Sequence, residues 1–257
     1  MNKDLNIFVI THKNEEGKGK YEEYHQHLFV GADVNECNNN FIKDNTGDNI
    51  SYLNQVYCEL TGLYWVWKNG KKSKYVGFEH YRRHFEIDKD NILKMMAKYD
   101  ILLPKHNSTL GFGTIYDHYG YCHNIKDMDI INEIISDLYP EYMDTYNLII
   151  KEGVNHFACN SFITSWKNFD RMLTFLFNIF NEFQNRLNLK TVDDFKKYIK
   201  ANFSDENILR REYRVHGENW FTYQLRIMGF LSERLITLWV FHNFPLSKIG
   251  EVDFKNI

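Results

Sequence analysis

Two adjacent arginines stand behind a histidine in His80-Tyr81-Arg82-Arg83, at the end of a strand-like run that begins at Lys74. Guanidinium forks hold phosphate oxygens bidentately, and open α/β sheets bind ligands in the crevice beyond their strand ends. The run therefore marks a candidate anion site. Its competing reading is a solvated basic turn, since arginine is mostly a surface residue. His25 and His27 have the spacing of a metal pair on a strand, but no third ligand accompanies them, and a surface pair fits better. Cys37, Cys58, Cys122 and Cys159 include no CxxC, so neither a zinc knuckle nor a thioredoxin-type motif is present, and free thiols in a reducing cytosol fit.

Such groups need elements to position them. Residues 5–10, mostly apolar and β-branched, read as a buried strand that meets the polar turn Thr11-His12-Lys13. Ile50, Leu53, Val56, Leu60, Tyr64 and Trp67 recur at three- and four-residue steps, which predicts one amphipathic helix over 49–68, capped by Asp48 and ended by Asn69-Gly70. A strand over 74–78, a helix over 91–98 and a strand over 100–103 continue the alternation of an α/β sheet. Beyond Pro140 the chain reads as mostly helical. It has one strand around 156–164, a Phe-rich helix over 168–187 whose stripe is core, a helix over 192–201, a helical stretch over 220–227, and a run over 232–241 that suits helix or buried strand.

With 257 residues, 44% hydrophobic and 25% charged, the chain is globular and long enough for a sizeable core. Aromatic residues make up 16%, so rings are expected both in the core and along a concave site. Thirty-one basic against 34 acidic side chains give no polycation effect, which disfavours nucleic acid as a partner. The first residues do not form a signal peptide, and no apolar stretch approaches the ~20 residues that cross a bilayer. Only 3 prolines and no low-complexity linker predict a single domain over 1–257.

The runs IFVITHK, GDNISYLNQVYCELTGLYWVWKN, YVGFEHYRRHF, NSFI and RIMGFLSERLITLW, with Tyr119 and His123, resemble the bacterial capsular and exopolysaccharide biosynthesis glycosyltransferases, a family long catalogued as a domain of unknown function. The resemblance spans nearly the whole chain. It implies a GT-A-like α/β fold, with a mixed sheet in the N-terminal half and a mostly helical C-terminal half. It also implies hexose transfer from a uridine diphosphate sugar, with galactose in pyranose or furanose form as one donor, to a glycan or lipid-linked acceptor. A cytoplasmic enzyme at the inner face of the membrane follows from that acceptor. In this frame Thr11, His12 and Lys13 receive the nucleotide, and Asp48 and Asn49 bond ribose or sugar unless they merely cap the helix. His80, Arg82 and Arg83 face the diphosphate, while His123 and Asn160 reach the donor sugar unless they are satisfied structural residues.

GT-A enzymes usually hold a divalent cation with an Asp-x-Asp pair at the end of such a strand, and the chain departs from that pattern. Glu79-His80-Tyr81 stands in its place, and Asp88-Lys89-Asp90 lies further on, at a helix start. Either arginine replaces manganese or magnesium as the clamp, or Glu79 and a distant histidine hold the cation; the first is preferred. For an inverting transfer a carboxylate must take the acceptor proton. Gly217-Glu218-Asn219-Trp220, followed by Arg226 and Gly229, looks like a degenerate form of the Glu-Asp motif of many inverting GT-A enzymes, so Glu218 ranks ahead of Glu233, whose neighbour Arg234 suggests an internal ion pair. The reading from another class is a non-catalytic glycan- or phosphate-binding protein, in which aromatics stack sugars and the arginines hold an anion.

Overall fold

A computed structural model of the chain describes residues 3–14, 21–202 and 220–256. Its centre is strand β1 (Leu5–Thr11), flanked by two parallel neighbours, β2 (His25–Phe29) and β4 (Tyr75–His80), with β3 (Ile42–Lys43) beyond β2. All seven residues of β1 are buried, as expected of a parallel strand covered on both faces. Next to β4, β5 (Arg83–Phe85) turns back in a tight hairpin. The sheet continues through β6 (Ile101–Pro104), which lies beyond β9 (Phe162–Ser165), the one strand of this path antiparallel to both its neighbours. A separate ribbon pairs β7 (Asn107–Ser108) with β8 (Asn155–His156). β10 (Ile249–Val252) runs parallel to β6, and β11 (Phe254–Asn256) pairs with β5. The fold is thus α/β with a mixed sheet, and the second half of the chain contributes β9, β10 and β11 to it as well as most of the helices.

The Trp166–Leu187 helix buries Phe169, Leu176, Phe180 and Phe183 and packs on the Ile125–Leu138 and Ile227–Asn243 helices, which accounts for the Phe stripe as core. The Ile227–Asn243 helix settles the run that suited either state. It is apolar nearly all round because it is buried nearly all round, and 17 residues is too long for a strand in this sheet.

Two departures from the expected elements shape the site. The predicted helix over 49–68 is broken: a 3-10 turn (Ser51–Leu53) and a short helix (Asn54–Tyr57) end at Cys58, whose φ is 52°, and the Leu60–Asn69 helix starts afresh behind Glu59. This second helix lies close on the sheet through Gly62, where an added Cβ would come within 2.7 Å of Val30. The expected strand around 156–164 is likewise two strands, β8 and β9, separated by a turn in which Cys159 and Asn160 both have positive φ. Left-handed backbone at a residue other than glycine is uncommon and costs about 1–3 kcal/mol, so such a turn persists only where its surroundings hold it.

Candidate functional site

The parallel strands β1 and β4 end side by side, because the amide of Tyr81 donates to the carbonyl of Ile10 at 3.0 Å. Past β1 the chain turns sharply: Thr11 Oγ1 accepts from the Lys13 amide at 3.0 Å, and the exposed His12 ring meets the edge of Tyr81, with centroids 5.4 Å apart. The Arg82 guanidinium lies 5.0 Å from the centre of the same Tyr81 ring. Loss of solvent around His12, followed by repulsion from Lys13, Arg82, Arg226 and His80, brings its pKa down to about 4. Lys13, Arg82 and Arg226 are thus three permanent cations near enough to this imidazole to repel a proton on it. Arg226 joins them from the position just before the Ile227–Asn243 helix. Lys13 and Arg82 have no carboxylate partner among the described residues.

Deeper in the crevice the left-handed turn is held from four directions. His80 Nε2 donates to the Cys159 carbonyl at 2.8 Å, which fixes the proton on that nitrogen because a carbonyl only accepts. Arg83 Nη1 donates to Cys159 Sγ at 2.8 Å, and the Cys159 amide donates to Glu233 Oε1 at 2.7 Å. Asn160 Nδ2 donates to Glu59 Oε1 at 2.7 Å, while Asn160 Oδ1 accepts from Ser232 at 2.9 Å. Burial pushes the Cys159 thiol up to about 12, with Glu233 acting in the same direction and Arg83 against it, so the sulfur is a neutral thiol and no nucleophile. The Glu233 carboxyl is raised first by burial. Arg234, 2.7 Å from Oε2, and the Cys159 amide pull it back, and 19% of its side chain still faces solvent.

The structure thus gathers Thr11, His12, Lys13, Arg82 and Arg226 at the rim, and His80, Arg83, Asn160, Glu59 and Glu233 at the floor. The arginine pair is divided, with Arg82 at the exposed rim and Arg83 on the Cys159 turn. Asn160 makes hydrogen bonds to Glu59, Gly229 and Ser232 and is buried, so it braces the turn. His123 is also buried. Its Nδ1 faces Gln224 Oε1 at 3.0 Å, its ring stacks on Phe230 at 4.0 Å, and burial, then Arg234, lowers its pKa to about 3.

Asp48 and Asn49 are not brought to this cluster. Asp48 caps no helix. It accepts from Tyr64 at 3.0 Å and is tied to Asn69, at the far end of a ten-residue helix from Glu59, about 15 Å along its axis. Asn49 accepts from the Ser51 amide and donates to Gly47. Glu218 lies outside the described residues.

Alternation along β4 turns Glu79 to the sheet face opposite His80, where it accepts from His84 at 2.9 Å and from the Phe85 amide at 3.0 Å. Asp88 caps the Lys89–Met96 helix, which carries Asp90 in its first turn. Among the described residues no group of three or more His, Cys, Asp or Glu side chains is arranged to hold a metal ion, and no helix is long and apolar enough to cross a membrane. Three contributors were missed in the sequence, Arg226, Glu59 and Cys159; Arg226 stands after Trp220 with no carboxylate or glycine motif of its own to mark it as a crevice cation, and of the other two only Glu59 left a trace. A lone carboxylate in the apolar run CELTGL was the available signal for Glu59, and Cys159 carried none.

No curated protein matches the chain. Among solved structures it is similar to the apo form of WbbM, described as a bifunctional glycosyltransferase, with 26% sequence identity and a TM-score of 0.74. That alignment covers 99% of this chain but 45% of the other, so the chain spans less than half of the structure it matches. Residues 6–210 match the model of a domain of unknown function, DUF4422, and the chain belongs to that family.

Proposed function

We propose that the chain is a GT-A-like glycosyltransferase, one catalytic domain that moves a hexose from a uridine diphosphate sugar to a bacterial glycan or lipid-linked acceptor at the cytoplasmic face of the membrane. The observation that carries this reading is the gathering of Lys13, Arg82 and Arg226 around His12 where β1 and β4 end, with Arg83 behind them on the Cys159 turn. Likeness to one half of a bifunctional glycosyltransferase supports it. In this reading the cations bind the diphosphate and offset the charge that grows on it as the glycosidic bond breaks, the task a divalent cation performs elsewhere. His80 and Arg83 hold the Cys159 turn and so set the crevice floor. Glu233, half-buried with a raised pKa, takes the acceptor proton if the transfer inverts, and Glu218 is the other candidate for that step.

Release of uridine diphosphate from UDP-galactose and related UDP-hexoses, measured with EDTA present, tests the proposal. Turnover that survives the chelator supports both transfer and an arginine clamp. Binding of the nucleotide sugar with no release at all would instead make the chain a binding module. Loss of release in EDTA with rescue by manganese would overturn the metal-independent clamp.

A further inference from the structure

Two backbone kinks with positive φ meet at one hydrogen bond. Cys58 forms the first kink and Cys159 with Asn160 the second, and between them Asn160 Nδ2 donates to Glu59 Oε1 at 2.7 Å. Strained backbone of this kind gathers where a side chain must be held in one place. The break at Cys58 leaves Glu59 just before the Leu60–Asn69 helix, yet its side chain caps none of that helix's amides. Among the described residues no lysine or arginine pairs with it either, and Asn160 is the hydrogen-bond partner of its carboxylate. Among those residues Oε2 is left without a partner. The Glu59 side chain is 17% exposed, and this oxygen is open to the crevice.

We infer that Glu59 Oε2 accepts a hydrogen bond from a hydroxyl of the donor hexose and so selects which hexose the crevice takes. The inference rests on the transferase reading above and names a specificity-determining residue of that same site.

The charge around Glu59 chooses the class of ligand. A carboxylate oxygen accepts hydrogen bonds and repels phosphate, so what meets Oε2 is a donor. Arg82 and Arg83 repel a proton on His80, whose Nε2 lies 4.0 Å from Glu59 Oε1, so a further cation at this point is disfavoured. A neutral hydroxyl satisfies both conditions. His80 also links floor to rim, because its charge is among those that lower the pKa of His12. Lys13 and Arg82 at that rim suit phosphate, and Glu59 at the floor suits hydroxyls. A ligand anionic at one end and hydroxylated at the other matches this order, and a nucleotide sugar is such a ligand. Epimeric hexoses differ in where one hydroxyl points, and a site that bonds that hydroxyl rejects the epimer that cannot present it.

The test uses calorimetric titration of the full chain with uridine diphosphate, UDP-galactose, UDP-glucose and the 2-, 3-, 4- and 6-deoxy forms of these hexoses. Glu59→Gln keeps an oxygen for Asn160 and turns an amide donor to the crevice in place of the acceptor. It should weaken binding of the preferred UDP-hexose about tenfold to a hundredfold, as loss of a hydrogen bond to a charged group does, and leave uridine diphosphate binding unchanged. On the wild type one deoxy form should bind more weakly than its parent by a similar factor, and on the variant the two should bind alike. Equal losses for uridine diphosphate and UDP-hexose would make Glu59 a brace of the Cys159–Asn160 turn and overturn the inference. Unchanged affinity for UDP-hexose, with or without slowed turnover, would overturn it too, as would a wild type that distinguishes no deoxy form. Should Glu59→Gln not fold, Glu59→Asp, which keeps the charge and draws it back by one methylene, is read in the same way. A wild type that binds uridine diphosphate but gains nothing from the hexose overturns this inference and leaves the cation clamp standing. A wild type that binds neither overturns the transferase reading as well.

Discussion

Two arginine neighbourhoods of this molecule use the same side chain to opposite ends. On the outer face of the Trp166–Leu187 helix, Arg186 is ringed by Glu182, Asp137 and Glu133, so its charge is neutralised within the protein. At the ends of β1 and β4, Lys13 and Arg82 lie together around His12 and neither pairs with a carboxylate among the described residues, while Glu59 and Glu233 are engaged with the Cys159–Asn160 turn. Self-repulsion of that kind raises the energy of the free protein, and an anionic ligand relieves it. An arginine thus reads as structural or functional by what already neutralises it, not by its exposure.

The largest expected effect tests whether a crevice carboxylate is only a counter-ion, as Asp137 is to Arg186. Glu233→Gln keeps the size and removes the charge. It should slow transfer by about a hundredfold or more while donor affinity stays nearly intact, as general-base loss does. Steady-state turnover beside donor titration checks this, and Glu218→Gln is the matched variant. If neither variant slows transfer by about tenfold, the base lies elsewhere or the enzyme retains configuration.

Next in size are the cations themselves. Arg82→Ala and Arg83→Ala should each weaken binding of the UDP-sugar by about 1.5–3 kcal/mol, the range for hydrogen bonds to charged groups. Arg186→Ala should leave it unchanged. Calorimetric titration of all three separates the neighbourhoods, and equal affinities would erase the distinction between them.

A smaller effect concerns acid. Burial first, and Arg234 after it, lowers the pKa of His123 and of His156 to about 3, from 6.5 in the unfolded chain. The unfolded state therefore binds more protons between these values, and the stability they contribute is full above about pH 6.5 and lost as pH falls toward 3. Asp127 opposes them. Burial raises its pKa to about 7, so its contribution is full below about pH 4 and lost as pH rises toward 7. His12 and His118, lowered to about 4, act with these two histidines, while Glu233, raised by burial, acts with Asp127; the histidines outweigh the carboxyls, so urea midpoints should be lower at pH 5 than at pH 7, and His156→Phe should narrow the gap. An unchanged gap would mean that the crevice wall does not resist protonation.

The smallest effect falls on the neutralised side. Arg186→Ala should change unfolding stability by less than about 1 kcal/mol, because its partners are surface ion pairs that water and salt screen. A chemical denaturation curve is sufficient to check it.

What could be read in the sequence follows from the range of the forces involved. β1 and the Phe-rich helix were legible because periodic burial writes itself into neighbouring residues. The arginine pair was legible as an anion signal, while its division between rim and floor was not, since that depends on a hairpin turn and on Cys159, far along the chain. Apolar spacing ran unbroken through Cys58, yet the helix breaks there and starts again behind Glu59, whose carboxylate meets Asn160. HFACNSFIT looked like one strand for the same reason: Glu233, Arg83 and His80, all distant in sequence, hold its middle in a left-handed turn. Asp48 before an apolar run had the look of a cap, and only the fold shows it tied to Asn69 and Tyr64 instead.

The pairing of β11 with β5 has a consequence for how the protein comes to be active. β5 carries Arg83, and its outer edge is completed only when residues 254–256 arrive beside it. The pairs among β1, β2 and β4 need only the first third of the chain, so loop-closure entropy favours their forming early, and the strand bearing Arg83 is finished late. A chain emerging from the ribosome would hold its β1–β4 scaffold well before Arg83 is fixed in its final place. A ligand that binds beside Arg83 would then report completed folding and act as a late-stage fastener on a molecule whose scaffold is already in place.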